Sequence, residues 1–287
     1  MTAYGQRPAA ERAIRALLID GNNLLRSIHE RLIQGGDRES PDQAKAAIDT
    51  AFKAVFKDLR EFRATHVMGV FDGQGGSWRS ALYPAYKCDP QTGERKGMPQ
   101  AIRQQLPVFM DRLEAAGVKT VRIDGHEADD VIATLVAKLT GKPGIEVIID
   151  STDNDFPQLI AGNVSIYDRV RKVVKDAGWV ADRYFGLKPH QLWDMKAFAG
   201  DGSDNIPGVK GIGDKRAAAL LAEYGSLDNV LLCAHEIKGK MGENLRGSIE
   251  EVRLYRQLIE MNTDLVLGVS LSQLRYEQPS AVVGMSR

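Results

Sequence analysis

Short apolar runs, each closing on an acid or a glycine, recur along the first two-thirds of the chain. Ala16-Leu17-Leu18-Ile19 runs into Asp20-Gly21, and His66 to Phe71 runs into Asp72-Gly73. Lys119 to Ile123 leads into Gly125-His126-Glu127-Ala128-Asp129-Asp130, and Glu146 to Ile149 into Asp150 and Ser151-Thr152-Asp153-Asn154-Asp155. Uninterrupted apolar runs bounded by turn residues fit strands of a parallel sheet, buried on both faces. Helical periodicity fills the gaps. It predicts helices over Asn22–Leu32, Pro41–Arg63 (Ala47, Phe52, Val55, Phe56 and Leu59 inward), Gln100–Ala116, and one opening near Glu127. Val164 to Val174 reads as one or two edge strands or a hairpin.

This alternation predicts an α/β fold with a mostly parallel sheet. After about residue 185 the strand signals stop. Helices are expected over Pro189–Ala199, Ala217–Tyr224 and onward through Ile259. The chain thus divides into an α/β region, 14–185, and a helical region, 186–267, with loose ends at 1–13 and 278–287. Residues 74–99, inside a broader segment of about 74–110, lack periodicity and are rich in Gly, Ser, Pro, bases and aromatics. A long aperiodic stretch in a compact domain is a functional loop or a solvated one.

With 287 residues the chain can bury a large core, and its apolar runs are far too short to span a bilayer. Two distant cysteines, Cys88 and Cys233, argue for a reducing, cytoplasmic setting and against a disulfide framework. The five histidines are scattered without metal-ligand spacing. The 38 bases balance 38 acids, yet setting aside nine candidate ligands leaves 29 acids against the same 38 bases. An acidic pocket in a more basic shell suits metal ions beside a phosphate backbone.

Those nine acids are Asp20, Asp72, Glu127, Asp129, Asp130, Asp153, Asp155, Asp201 and Asp204. Carboxylates at the ends of parallel strands lie along one rim, where ligands bind in such sheets. Glu127 and Asp130, three apart on a helix opening at Glu127, would share a face. Acidic first turns and Asx turns explain each acid singly, but several groups meeting would grip a hard dication, Mg²⁺ or Mn²⁺ rather than Zn²⁺. Two such ions suit in-line phosphodiester cleavage. The turn Gly208 to Arg216, entering a helix, offers free N–H groups and the bases Lys215 and Arg216 to a phosphate. The 74–99 loop sets Arg79, Lys87, Arg95 and Lys96 among Trp78, Tyr83 and Tyr86, a composition that suits single strands as well as it suits solvent.

The ordered set Ile-Asp-Gly-Asn-Asn, Val-Phe-Asp-Gly, Glu-Ala-Asp-Asp-Val, Ser-Thr-Asp-Asn-Asp and Gly-Asp-Gly-Ser-Asp-Asn-Ile-Pro-Gly-Val-Lys-Gly-Ile-Gly-Asp-Lys resembles the bacterial and phage 5′-nuclease family. That family includes the 5′→3′ exonuclease domain of DNA polymerase I and the flap endonucleases, and the short exonuclease IX-like members are similar in length. The resemblance runs from about Leu17 to Leu267. It implies a PIN-like domain, a helical arch and a helix-three-turn-helix element. It implies a nuclease that cuts 5′ flaps or 5′ ends at single-strand/duplex junctions by two-metal hydrolysis in replication and repair, acting as a monomer.

By motif, Asp20, Asp72, Glu127, Asp129 and Asp130 resemble a first metal group, and Asp153, Asp155, Asp201 and Asp204 a second. Lys87 matches the arch lysine and Arg26 a basic residue after the first motif; both are implied as catalytic. Lys196, Gly211, Gly213, Lys215 and Arg216 are implied DNA contacts, and Arg79 and Tyr86 are candidate contacts from the composition of the 74–99 loop. The resemblance also implies K⁺ on carbonyls of Phe198, Ala199, Pro207, Val209 and Ile212. Two features depart from the family: Cys88 to Glu94 interrupts the arch, and Pro157 falls where a helix follows Asp155. A non-catalytic junction-binding module and a PIN-type ribonuclease are the rival readings. The first has no use for every acid, and the second no use for the 208–216 turn.

Overall fold

The structure, a computed structural model, describes residues 14–277. The expected loose ends, 1–13 and 278–287, lie outside them. The described residues form one six-stranded sheet of β1 (Ile14–Asp20), β2 (His66–Val70), β3 (Lys119–Val121), β4 (Ile145–Asp150), β5 (Val164–Asp168) and β6 (Val173–Lys175). The order is β3-β2-β1-β4-β5-β6, parallel throughout except β6, which forms the expected hairpin with β5. Chain order reverses on either side of β1, so its carboxyl end opens a crevice between diverging connections. Asp20 stands there.

The β1 sequence IRALLID explains its central place. Leu17 and Ile19 face one layer while Ala16 and Leu18 face the other, so both sides of the strand are apolar. The first layer is α1 (Gly21–Ile33), α2 (Pro41–Glu61) and, after the short α3 (Trp78–Leu82), α4 (Gln100–Ala115). On the other face lies α5 (Ala128–Leu139), followed in the chain by α6 (Ala177–Arg183), α7 (Leu192–Ala199), α8 (Asp214–Tyr224), α9 (Leu227–Leu232), α10 (Gly239–Gly247) and α11 (Ile249–Ile259). Val131, Ile132 and Leu135 of α5 share one apolar core with Phe198, Leu221 and Leu258, so the helical region packs directly against the sheet layer.

Three expectations need correction. The helix after β3 opens at Ala128; Glu127 is its extended cap residue (φ −87°, ψ 159°), so Glu127 and Asp130 do not share a helical face. Pro157 limits the segment after Asp155 to a 3₁₀ turn, Phe156–Leu159. The helical arch is reduced to the five-residue α3 before α4 and a small hairpin bridged at Cys88 and Arg95. Pro84, Pro90 and Pro99 interrupt helix there, and the Asp89 carboxylate accepts the amides of Gln91 (2.8 Å) and Thr92 (3.0 Å), closing a turn instead.

Beneath α2 lies a buried network. Arg169 forms an ion pair with Asp58 of α2 (2.7 Å) and donates to Asp150 at the end of β4. Burial pushes the Asp58 carboxyl up to about 7, with Arg169 pulling down and Asp150 pushing up. One guanidinium thus serves two acids, and the folded chain keeps a proton that the unfolded chain releases near 3.8. The stability from this proton is therefore lost as pH rises toward about 7. Asp58→Asn should flatten that fall, read by urea unfolding between pH about 4 and about 7. Arg169→Met, leaving two acids buried without their cation, should cost about 3–5 kcal/mol in the same assay.

Candidate functional site

The first acid group is assembled by helix starts and strand ends. Asp20, 3 % exposed, caps α1 through the Asn23 amide (3.0 Å) and accepts from the Ser151 hydroxyl (2.9 Å). Asp72 accepts the Ala128 amide (2.9 Å) and the Asn22 side chain (2.6 Å), which ties the loop after β2 to the start of α5. Glu127, buried, accepts from the Tyr86 hydroxyl and from Lys87 Nζ, both at 3.1 Å. Asp129 turns into a pocket that Asp155, Asp201 and Asp204 also line.

Asp130 does not join them. It is fully buried and engages Arg79 in a two-pronged pair at 2.8 and 2.7 Å. It also accepts from Trp78 Nε1 (3.0 Å) and the Asn262 amide (2.9 Å). Its oxygens are thereby filled by donors from α3 and from the segment after α11.

The second group sits on two loops. After β4, the Asp153 carboxylate accepts the Asp155 amide (2.9 Å). After α7, Asp201 and Ile206 exchange backbone hydrogen bonds at 2.8 Å, with Asn205 in the left-handed region (φ 56°). Asp204 accepts the Tyr86 hydroxyl (3.0 Å), and its carbonyl accepts the Lys87 amide (2.9 Å). One hydroxyl therefore spans the two groups. Lys196 of α7 holds Asp201 (2.7 Å) and Asp155.

This convergence has an electrostatic cost. Burial first, then the charges of Asp153 and Asp72, push Asp20 up to about 7. Asp204 also reaches about 7, through burial and then Asp155 and Asp201, although Lys87 opposes them. Burial and neighbouring acids raise Asp129 and Asp153 as well. Burial opposes ionisation of Asp201 too, but Lys196 holds it below the ordinary carboxylate range. Among the described residues, no three His, Cys, Asp or Glu side chains already stand in a closed ligand set. Lys87 and Lys196 instead draw Glu127, Asp155 and Asp201 onto their ammonium groups. The donors are all oxygen and hold excess negative charge, which fits Mg²⁺ or Mn²⁺.

The expected DNA contacts separate into two sets. Arg79, 2 % exposed, is sunk against Asp130, the Leu258 carbonyl (2.7 Å) and the Glu260 carbonyl (3.1 Å), so it cannot face a phosphate. Tyr86, also 2 % exposed, has no free ring face for a base. Lys196 is committed to carboxylates. By contrast Gly211, Gly213, Lys215 and Arg216 are exposed at the start of α8, where Gly213 is the cap residue and Gly211 has φ 87°. Arg216 donates to the Gly211 carbonyl (2.5 Å) and Asn244 to the Lys210 carbonyl (2.7 Å), fixing the turn. Arg26 is exposed on α1, and its charge is felt at Asp72.

In the 198–212 turn, Gly208 (φ 67°) leaves no room for a Cβ, which would fall 2.4 Å from the Gly200 nitrogen. The Phe198 carbonyl accepts the Val209 amide (2.8 Å) and the Val209 carbonyl the Ile212 amide (2.9 Å). Ser151, Asn22, Asn23 and Asn205 escaped the sequence reading. Ser151 and Asn22 bond Asp20, Asp153 or Asp72 through their side chains and Asn23 bonds Asp20 through its amide, and adjacency to the acidic motifs was the available signal.

Residues 15–185 match the model of the 5′-3′ exonuclease N-terminal resolvase-like domain, and 187–282 that of the 5′-3′ exonuclease C-terminal SAM fold. The chain belongs to the 5′-3′ exonuclease family. The flap endonuclease Xni of Shewanella amazonensis is 37% identical over 261 residues, which is 91% of this chain and 98% of that protein. The thermostable DNA polymerase I of Thermus thermophilus is 36% identical over 268 residues, 93% of this chain but 31% of the polymerase. The solved phage T5 5′-exonuclease with bound zinc shares the fold, with a TM-score of 0.72 at 23% identity over 87% of this chain and 90% of that one. In this member of the 5′-3′ exonuclease family Asp130 is turned to a structural pair with Arg79. Arg79→Met should lower stability by about 3–5 kcal/mol in urea unfolding and leave the salt slope of DNA binding unaltered.

Proposed function

We propose that this chain is a structure-selective 5′-nuclease that hydrolyses DNA phosphodiesters at 5′ flaps or 5′ ends of single-strand/duplex junctions, in replication and repair. The observation that carries the reading is the meeting of both acid groups at the carboxyl ends of parallel strands, spanned by the Tyr86 hydroxyl. Asp20, Asp72, Glu127 and Asp129 would hold one divalent ion, and Asp153, Asp155, Asp201 and Asp204 a second, Mg²⁺ by preference and Mn²⁺ in its place. When bound, such ions supply activation of water and stabilisation of both oxygens of the displacement.

The chain's own residues orient the substrate. Lys87, beside Glu127, stabilises negative charge on the scissile phosphate, and Arg26 on the rim draws the backbone inward. The amides at Gly211 and Gly213, with Lys215 and Arg216, grip the duplex backbone from the start of α8. A K⁺ would sit at the carbonyls of Phe198, Ala199, Pro207, Val209 and Ile212, of which Phe198 and Val209 also accept backbone amides. The protein acts as a cytoplasmic monomer. Among the described residues, no helix is long and apolar enough to cross a membrane.

Asp201→Asn should lower flap cleavage by about a thousandfold or more while DNA affinity, measured in EDTA, stays within about twofold. Full activity of that variant in Mg²⁺ would remove the two-metal assignment. Equal cleavage of RNA and flapped DNA would overturn the substrate assignment.

A further inference from the structure

Lys196 projects from the last turn of α7 into the second acid group, and only 14% of its side chain is exposed. Its ammonium donates to Asp201 Oδ2 at 2.7 Å and to Asp155 Oδ1. Asp153 and Asp204, both pushed up by burial and neighbouring acids, complete the group, and Lys87, whose Nζ donates to Glu127 of the first group, opposes that push. A lysine placed to meet DNA would present its ammonium to solvent. This one is wedged between two of the carboxylates a divalent ion would need.

We propose that Lys196 is a tethered counter-ion of the second acid group. Its ammonium holds Asp155 and Asp201 in the metal-free protein and must be displaced when a divalent cation takes their oxygens, so Lys196 sets the affinity of that position. This rests on the reading of the acids as metal ligands. The physical reason is competition. A tethered cation is present at high effective concentration, and a metal binds only to the fraction of molecules in which the ammonium has left. The tether keeps the four acids from repelling one another before the metal arrives, at the expense of weaker binding afterward.

Mn²⁺ binding to the full chain without DNA, followed by the electron paramagnetic resonance of free Mn²⁺, tests this. Lys196→Met should bind Mn²⁺ at one of two positions roughly tenfold more tightly than the unaltered chain. Lys196→Arg, which keeps the charge, should stay within about threefold. In EDTA the Met variant should melt at a lower temperature and gain more from added Mn²⁺. A Met variant that folds only with Mn²⁺ present supports the same conclusion, and Lys196→Gln then serves for the titration. If the unaltered chain binds two Mn²⁺ and both neutral variants bind them equally or more weakly, Lys196 organises the ligands and the counter-ion role is overturned. If the unaltered chain binds no Mn²⁺, the metal reading and this proposal fall together.

Discussion

Repulsion among carboxylates is the constraint on which this molecule turns. Acids on five separate segments are brought within reach of one another, and burial makes Asp20, Asp129, Asp153 and Asp204 resist ionisation. Nothing in their own chemistry favours that assembly. It is imposed by the sheet, by the helix starts at Asp20 and Glu127, and by donors anchored elsewhere: Ser151, Asn22, Tyr86, Lys87 and Lys196. The apolar core on both faces of β1 therefore does more than stabilise a fold. It holds together a charge distribution that would fly apart without it, and that strain gives the basin its appetite for cations.

The helical region is a full participant. Asp201, Asp204 and Lys196 come from it, and Arg79 and Asp130 of the α/β region are locked to the backbone at Leu258, Glu260 and Asn262. Thr134 and Lys138 of α5 add hydrogen bonds to the Asn262 and Leu265 carbonyls. The seam between the two regions is polar near the site and apolar further away, and it brings Asp201 and Asp204 to Asp155.

Much of this was legible in the chain itself. Strands announced themselves as apolar runs, and Asp-Gly endings marked the rim. What could not be read was which way a side chain turns once packed. Asp130 obeys the same local pattern as Asp129, and only the burial of Arg79 beside it decides that it faces away. Arg79 and Tyr86 looked like solvent-facing members of a basic, aromatic loop. Their burial depends on α11 and the Asp201–Asn205 loop, far off in sequence. The Asp58–Arg169–Asp150 network was invisible for a similar reason: Asp150 stood out only as a strand ending, and its partners lie far off, on α2 and in the β5–β6 turn.

The hairpin closed at Cys88 and Arg95 has a consequence for how such chains diversify. Its two ends are stitched together, with the Lys96 amide on the Lys87 carbonyl at 2.7 Å and the Lys96 ammonium on the Gly202 carbonyl at 3.2 Å. The excursion between them returns to its own starting point. Residues can be gained or lost at its tip without shifting the lysine at its base. A change at the tip would alter what the site meets and leave the reacting centre where it is.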